Sequence, residues 1–236
     1  MFPAPTHPVR IEATLDSRLS RWKWLVKWIL AIPHYIVLIF LQVAFLLLSI
    51  VAFFGILITG RYPRALFRFN VGVIRWSMRV SYYSSVVLGT DAYPPFTLKE
   101  VPGYPIQVDV SYPERLSRGL VLVKWLLVIP QLLVVAILVT SSWGVFRYLE
   151  DYSPFASGLM GVLSLIAVVV LTCTGTYPRD LFDFLMGLLR WTLRVFVYAS
   201  LMTDKYPPFR LDMGGNEPIA GAVAPAGGGC RVKGAG

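Results

Sequence analysis

From Trp28 to Thr59 the chain runs for 32 residues without a charge. About 20 apolar residues are enough to cross the hydrocarbon core of a bilayer. As one helix this run would measure about 48 Å, against a core of about 30 Å. The excess predicts a tilt, or a bend near Pro33 with the first turns held in the interface. No Gly/Pro turn divides residues 34–54, so one helix is expected there rather than two.

The rest of the composition agrees with a membrane-embedded chain. Of 236 residues, 56% are hydrophobic and 15% charged, whereas soluble domains are roughly 25% charged. The net charge is +9. Nucleic acid attracts such a charge, but here the cations flank apolar runs and sit among Trp and Tyr. That pattern fits interfacial anchoring and points to the lipid bilayer and its anionic headgroups as partners, not to nucleic acid. Trp28, Trp125, Arg64 and Arg179 are the expected interface anchors. Cys173 and Cys230 make neither a disulfide framework nor a metal-ligand spacing. The first apolar run follows a polar segment of about two dozen residues and is too long for a signal peptide, so it is expected to remain as an insertion signal.

The chain is also duplicated. Thr59–Tyr83 returns at Thr174–Tyr198, with 14 of 25 positions identical. RLSR recurs at 18–21 and 115–118, LVKW at 25–28 and 122–125, and TDxYPPF at 90–96 and 203–209. The spacing of about 100 residues is too long for a solenoid unit and indicates tandem domains. We place the first repeat at 8–98 and the second at 105–212. The second carries roughly 18 extra residues, an insertion near 141–158 that includes RYLEDYSP. An excursion is expected there rather than an additional crossing, because the two copies end in matching polar segments. Residues 214–236 are Gly/Ala/Pro-rich and read as a disordered tail.

The expected fold is all-α and membrane-integral: two tandem parallel repeats of a helical hairpin, about four transmembrane helices, with short strands in a polar layer. Val9–Leu15, Phe96–Val101, Gln107–Tyr112 and Phe209–Met213 are candidate strands of one small sheet. The balance of basic residues favours cytoplasmic termini in a multi-pass membrane protein. In a rival arrangement the second helix of each copy lies flat at the interface.

The sharpest chemical feature lies in that second helix. Arg68, Arg75 and Arg79 are spaced by seven and four, within about 40° on one helical face. Asp183, Arg190 and Arg194 take the same positions in the second copy. A charge in an apolar layer needs a partner such as a carboxylate, a backbone carbonyl, water or a phosphate. These six residues are therefore a candidate anion or lipid site, or a polar face between the repeats. Arg68 against Asp183 also permits an Arg–Asp contact. The competing account is a basic amphipathic helix at the interface, which such spacing commonly produces.

No dinucleotide, P-loop, zinc-protease or nucleophile-elbow motif is present. The histidines are His7 and His34, and Gln131 stands where a second copy of His34 would be, so no haem or other cofactor is expected. No enzymatic activity is expected either. Taken together, LSRWKWLVKW, AIPH, TGRYPRALF, IRW-SMRV and TDAYPPF, with LSRGLVLVKW, VIPQ, TGTYPRDLF, LRW-TLRV and TDKYPPF, resemble a bacterial membrane family catalogued as domain of unknown function 4389. The tandem form resembles its actinobacterial-type members. The resemblance implies membrane location and duplication and carries no activity. The expected role is a scaffold or accessory subunit of a membrane complex, partnered by another membrane protein. The alternative is a transporter or anionic-lipid-binding protein using the arginine faces.

Overall fold

The structure is a computed structural model describing residues 7–16, 19–139 and 159–214. Its described elements are β1 (Val9–Ala13), α1 (Lys23–Thr59), α2 (Arg64–Ser84), β2 (Ile106–Val110), α3 (Arg118–Val139), α4 (Leu159–Thr174) and α5 (Arg179–Ala199). The insertion near 141–158 and the tail lie outside the described residues, apart from Gly214.

α1 continues through Pro33 as one helix of 37 residues. It stops at Gly60, whose φ of 70° no side chain favours, and the Gly60 N–H closes on the Ile56 carbonyl at 2.7 Å. α4 stops in the same way at Gly175, φ 75°. Thr59 and Thr174 each donate to the carbonyl four residues back, at 2.7 Å. Pro63 and Pro178 then open α2 and α5, where a missing N–H costs nothing. α2 ends at Ser84, before the left-handed Leu88 at φ 55°, and Leu201 repeats that conformation after α5.

The repeats differ in one element. By sequence, α3 corresponds to the first part of α1 and α4 to its last part, with the insertion between them. α1 and residues 118–136 of α3 are long and apolar enough to cross a membrane.

The two copies meet through their strands. β1 pairs antiparallel with β2, with Ile11 opposite Val108. Aligning Pro8 with Pro105 makes Ile11 and Val108 equivalent residues, so this pair lies on a pseudo-twofold axis. The flanking bonds obey it: Thr14 N–H donates to Pro105 C=O and Ser111 N–H to Pro8 C=O, both at 2.9 Å. The strands are also exchanged. β1, from the first copy, packs on α5 of the second, whereas β2, from the second, packs on α2 of the first.

Three layers result. α1 carries a buried stripe of Lys27, Ala31, His34, Leu38, Phe45, Ala52 and Ile56, spaced by three, four or seven residues, and this stripe meets α2. The remainder of α1 exposes Ile29, Phe40, Leu47 and Ile58, among others. α2 and α5 form the middle layer. The sheet covers them with Val9, Ile11, Ala13, Ile106, Val108 and Val110, while Arg10 and Asp109 face outward.

Two of the four expected strands are absent. Residues 96–101 and 209–213 are irregular, because tight local turns take up their backbone groups: Thr97 N–H donates to Pro95 C=O at 2.9 Å, and Arg210 N–H to Pro208 C=O at 2.8 Å. The Leu98 segment also lies directly on Gly72 of α2. A Cβ at Gly72 would stand 2.9 Å from both Cβ and the carbonyl oxygen of Leu98, whereas at the equivalent Gly187 the nearest contact is 3.5 Å. Gly72→Ala is therefore expected to destabilise the protein by about 1–3 kcal/mol through overpacking. Gly187→Ala should be neutral or gain up to about 1 kcal/mol of helix propensity. Thermal unfolding of the two variants in the same detergent checks this.

Candidate functional site

The arginine positions singled out in the sequence converge on the exchanged strands. In an antiparallel ladder, directly opposed residues alternate between exchanging bonds and pointing outward. Because Pro8 bonds with Ser111 and Thr14 with Pro105, the carbonyls of Ile11 and Val108 point away from the partner strand. Arg75 Nε donates to Val108 C=O at 2.9 Å, and Arg190 donates to Ile11 C=O at 3.1 Å. Each arginine thus holds the central residue of the other copy's strand.

Their surroundings differ. Arg75 is half-buried and also meets Asp109 at 2.9 Å and Glu100 at 3.7 Å. Arg190 is fully buried and additionally donates to Gly214 C=O at 3.0 Å and to Asp212 C=O. Arg79 donates to Thr97 C=O, while Arg194 pairs with Asp212 at 2.5 Å. The carbonyls of the two irregular segments are therefore taken by α2 and α5. Arg68 is exposed. Asp183 is half-buried and accepts Gly214 N–H at 3.2 Å through its backbone. An Arg68–Asp183 contact is not among the ion pairs of the described residues. Arg64, Arg179, Trp28 and Trp125 are all exposed, and the Arg64 guanidinium lies 5.4 Å from the Tyr112 ring centre.

A second polar pair, not singled out in the sequence, is duplicated with closely matched geometry. Lys27 Nζ meets Asp91 at 2.8 Å and the Thr90 carbonyl at 2.7 Å. Lys124 Nζ meets Asp204 at 2.5 Å and the Thr203 carbonyl at 2.8 Å. Ser20 and Ser117 N–H groups bind the same carboxylates at 2.9 and 2.7 Å. Both ammonium groups lie 5.3 Å from a tyrosine ring, Tyr83 or Tyr198. This arrangement joins the LVKW and TDxYPPF motifs. The signal was present in the sequence as one lysine and one aspartate recurring together in both copies.

His34 is a buried core group rather than a free ligand: Trp76 donates to its Nδ1 at 3.1 Å and Phe96 stacks on it at 3.9 Å. Gln131 replaces it by donating to Pro207 C=O at 2.9 Å. Among the described residues no group of three or more His, Cys, Asp or Glu is placed to hold a metal.

A family model described as Domain of unknown function (DUF4389) matches residues 21–97 and 153–210, more than half of the chain. The chain belongs to the DUF4389 family. No curated protein and no solved structure matches it. The second DUF4389 match begins at residue 153, beyond α3. The Lys124–Asp204 contact nevertheless makes α3 the counterpart of the first part of α1, since it reproduces the Lys27–Asp91 contact across the match boundary.

Three outcomes are expected. Removing one member of a buried ion pair strands the other charge, so Lys27→Met should cost about 3–5 kcal/mol, against at most about 1 kcal/mol for the exposed neighbour in Lys23→Met. Unfolding midpoints of the two variants test this. Arg190→Met should destabilise more than Arg75→Met, because Arg190 is fully buried and holds three carbonyls, and the same measurement tests it.

The third outcome concerns pH. Burial, then the charges of Arg194 and Lys205, lower the His7 pKa from 6.5 to about 4. Between those values the unfolded chain binds more protons than the folded one. Stability is therefore full above 6.5 and falls as the pH drops toward 4. Burial would raise Asp91 and Asp212. Their hydrogen bonds, to Lys27 and the Ser20 N–H and to Arg194 and Arg210, together with the neighbouring cations, hold both below the ordinary value of 3.8. Their contribution is present above 3.8 and is lost at lower pH. His7→Gln should flatten the melting temperature between pH 6.5 and 4 and leave the loss below 3.8 in place.

Proposed function

We propose that this DUF4389 protein is a non-catalytic scaffold or accessory subunit of a membrane complex in the bacterial plasma membrane. The observation that carries the reading is how the polar seam is used. Arg75, Arg79, Arg190, Arg194, Lys27 and Lys124 all meet carbonyls or carboxylates of this same chain. Cations spent on internal contacts, with Arg75 and Arg190 joining the two copies and the others fastening each copy to itself, suit a rigid body that presents surfaces to others. Cytoplasmic termini, on the balance of basic residues, belong to this proposal. The partner is another membrane protein, with anionic headgroups around the periphery.

One observation favours the lipid-binding alternative, at a place that includes Asp183 but none of Arg68, Arg75, Arg79, Arg190 and Arg194. Tyr112 fills the space beside Phe67 in one half of the molecule, with its ring edge-on at 5.0 Å and its hydroxyl on Tyr62 C=O. The equivalent residue in the other half is Leu15. There a cleft of about 550 Å³ opens, lined by Leu15, Phe182, Arg179, Asp16, Asp183 and Leu171, among others. Its mixed charge and apolar wall suit a headgroup with the start of an acyl chain.

Extraction in mild detergent is expected to recover the chain in a stoichiometric assembly with a second membrane protein. Recovery of only the isolated polypeptide would count against the scaffold. For the alternative, native mass spectrometry should detect bound phospholipid that is lost in Leu15→Tyr, which places in the cleft the side chain used by the other copy. Equal lipid retention by Leu15→Tyr removes that reading.

A further inference from the structure

The inference here rests on the chain being a membrane protein and concerns how it lies in the bilayer. It follows from the relation between the pseudo-twofold axis, the long helices and the charged strands.

The end of α1 meets the start of α3: Leu116 N–H donates to Gly60 C=O at 2.9 Å. The end of α4 meets the start of α1, where a Cβ on Gly175 would fall 2.3 Å from the Arg21 guanidinium. α1 therefore runs antiparallel to α3 and α4, and the axis relating the copies stands perpendicular to these helices. If α1 stood upright, the axis would lie in the membrane plane. The repeats would then be inverted, with their matching basic ends on opposite sides.

α1 and α2 stay side by side along most of their length. His34 meets Trp76 at 3.1 Å, Gln42 meets Ser77 at 3.2 Å, and Ser49 meets Asn70 at 3.3 Å. β2 lies along α2 in turn, from Arg75 at Val108 to Phe67 near Tyr112. The exposed Asp109 consequently stands over the middle of α2, opposite the middle of α1, and Arg10 and Glu12 stand beside it on β1, over α5. Two packing distances of about 10 Å each separate the strands from α1. At the same point along the molecule, α1 turns Phe40, Val43, Leu46 and Leu47 outward.

An upright α1 would put those strand charges at the depth of the acyl chains, without water or a counter-charge from the membrane. A boundary between lipid and water that runs parallel to the layers gives each face its own solvent. We propose that the protein occupies a single leaflet: α1, α3 and α4 lie in the membrane plane among the acyl chains, α2 and α5 lie at the headgroup level, and the strand pair faces water. The partner of the exposed apolar layer is the acyl region of one leaflet.

The dimensions fit. A layer one helix thick, about 10 Å, is accommodated by half of a core of roughly 30 Å. Arg21, Trp22 and Lys23 at one end of α1 and Arg61 and Arg64 at the other are all exposed, which surrounds the layer with headgroup-binding side chains. The axis then runs along the membrane normal and matching ends of the two copies share one side. Basic ends alone do not separate this from an upright helix; the position of the strand charges does.

Site-directed spin labelling tests the proposal. In a full-length Cys173→Ser, Cys230→Ser background, single labels go at Ile29→Cys, Phe40→Cys, Leu47→Cys, Ile58→Cys and Arg10→Cys, all exposed positions. The protein is placed in liposomes of phosphatidylethanolamine and phosphatidylglycerol. Collision with oxygen and with a water-soluble nickel chelate reports depth. The four α1 labels are expected at one similar depth, rich in oxygen and poor in chelate, with the Arg10 position open to chelate. A profile that is deep at Phe40 and Leu47 and shallow at Ile29 and Ile58 would show an upright helix and overturn the single-leaflet arrangement while keeping membrane residence. Chelate access at all four α1 positions would overturn membrane residence itself.

Discussion

The molecule depends on two carbonyls, those of Ile11 and Val108, being held from outside the strand pair. A two-stranded ribbon is marginal in water, and its outer edges carry backbone groups in search of partners. Here the edges meet guanidinium groups from α2 and α5. The same contacts satisfy two cations within a largely apolar body. Each side of the exchange solves the other's problem: the arginines obtain acceptors and each edge of the ribbon has its central carbonyl capped. The exchange makes these contacts inter-copy, so neither half has its complete set alone.

Much of this architecture was legible in the residues. The duplication, the long uncharged helix, the Gly/Pro stops and the arginine face follow from composition, spacing and internal identity, and the described structure places helices accordingly. The exchange was not legible. Internal identity tells which residues are equivalent but not whether Val9–Ala13 packs on its own copy's helix or on the other's. The Lys27–Asp91 and Lys124–Asp204 pairs were missed because each pair is far apart in sequence and the lysines looked like anchors at the edge of an apolar run. The candidate strands at 96–101 and 209–213 do not form because both segments follow a Pro-Pro step. Their backbone folds into local turns and offers carbonyls to arginine instead of a ladder.

The layered arrangement also separates two properties that sequence alone blends together. Apolar length is a statement about one helix, whereas membrane orientation is a property of the whole body. α1 has ample length to cross a bilayer. Its neighbours bear on whether it does, because α2 and the charged ribbon share its direction and its level.

The position of the axis on Ile11 and Val108 has a consequence for ancestry and assembly. A pair of equivalent residues facing each other across a twofold is what a symmetric homodimer forms, with the same patch used on both sides. A single-copy chain with this strand and this arginine would complete its ribbon by trading strands with a second molecule. Fusion of the two genes turns that encounter between molecules into a reaction within one chain. The partner strand is then always present, and the two halves are free to diverge, as Tyr112 and Leu15 have done. Translation of the first half alone yields a helix hairpin still waiting for residues 105–111.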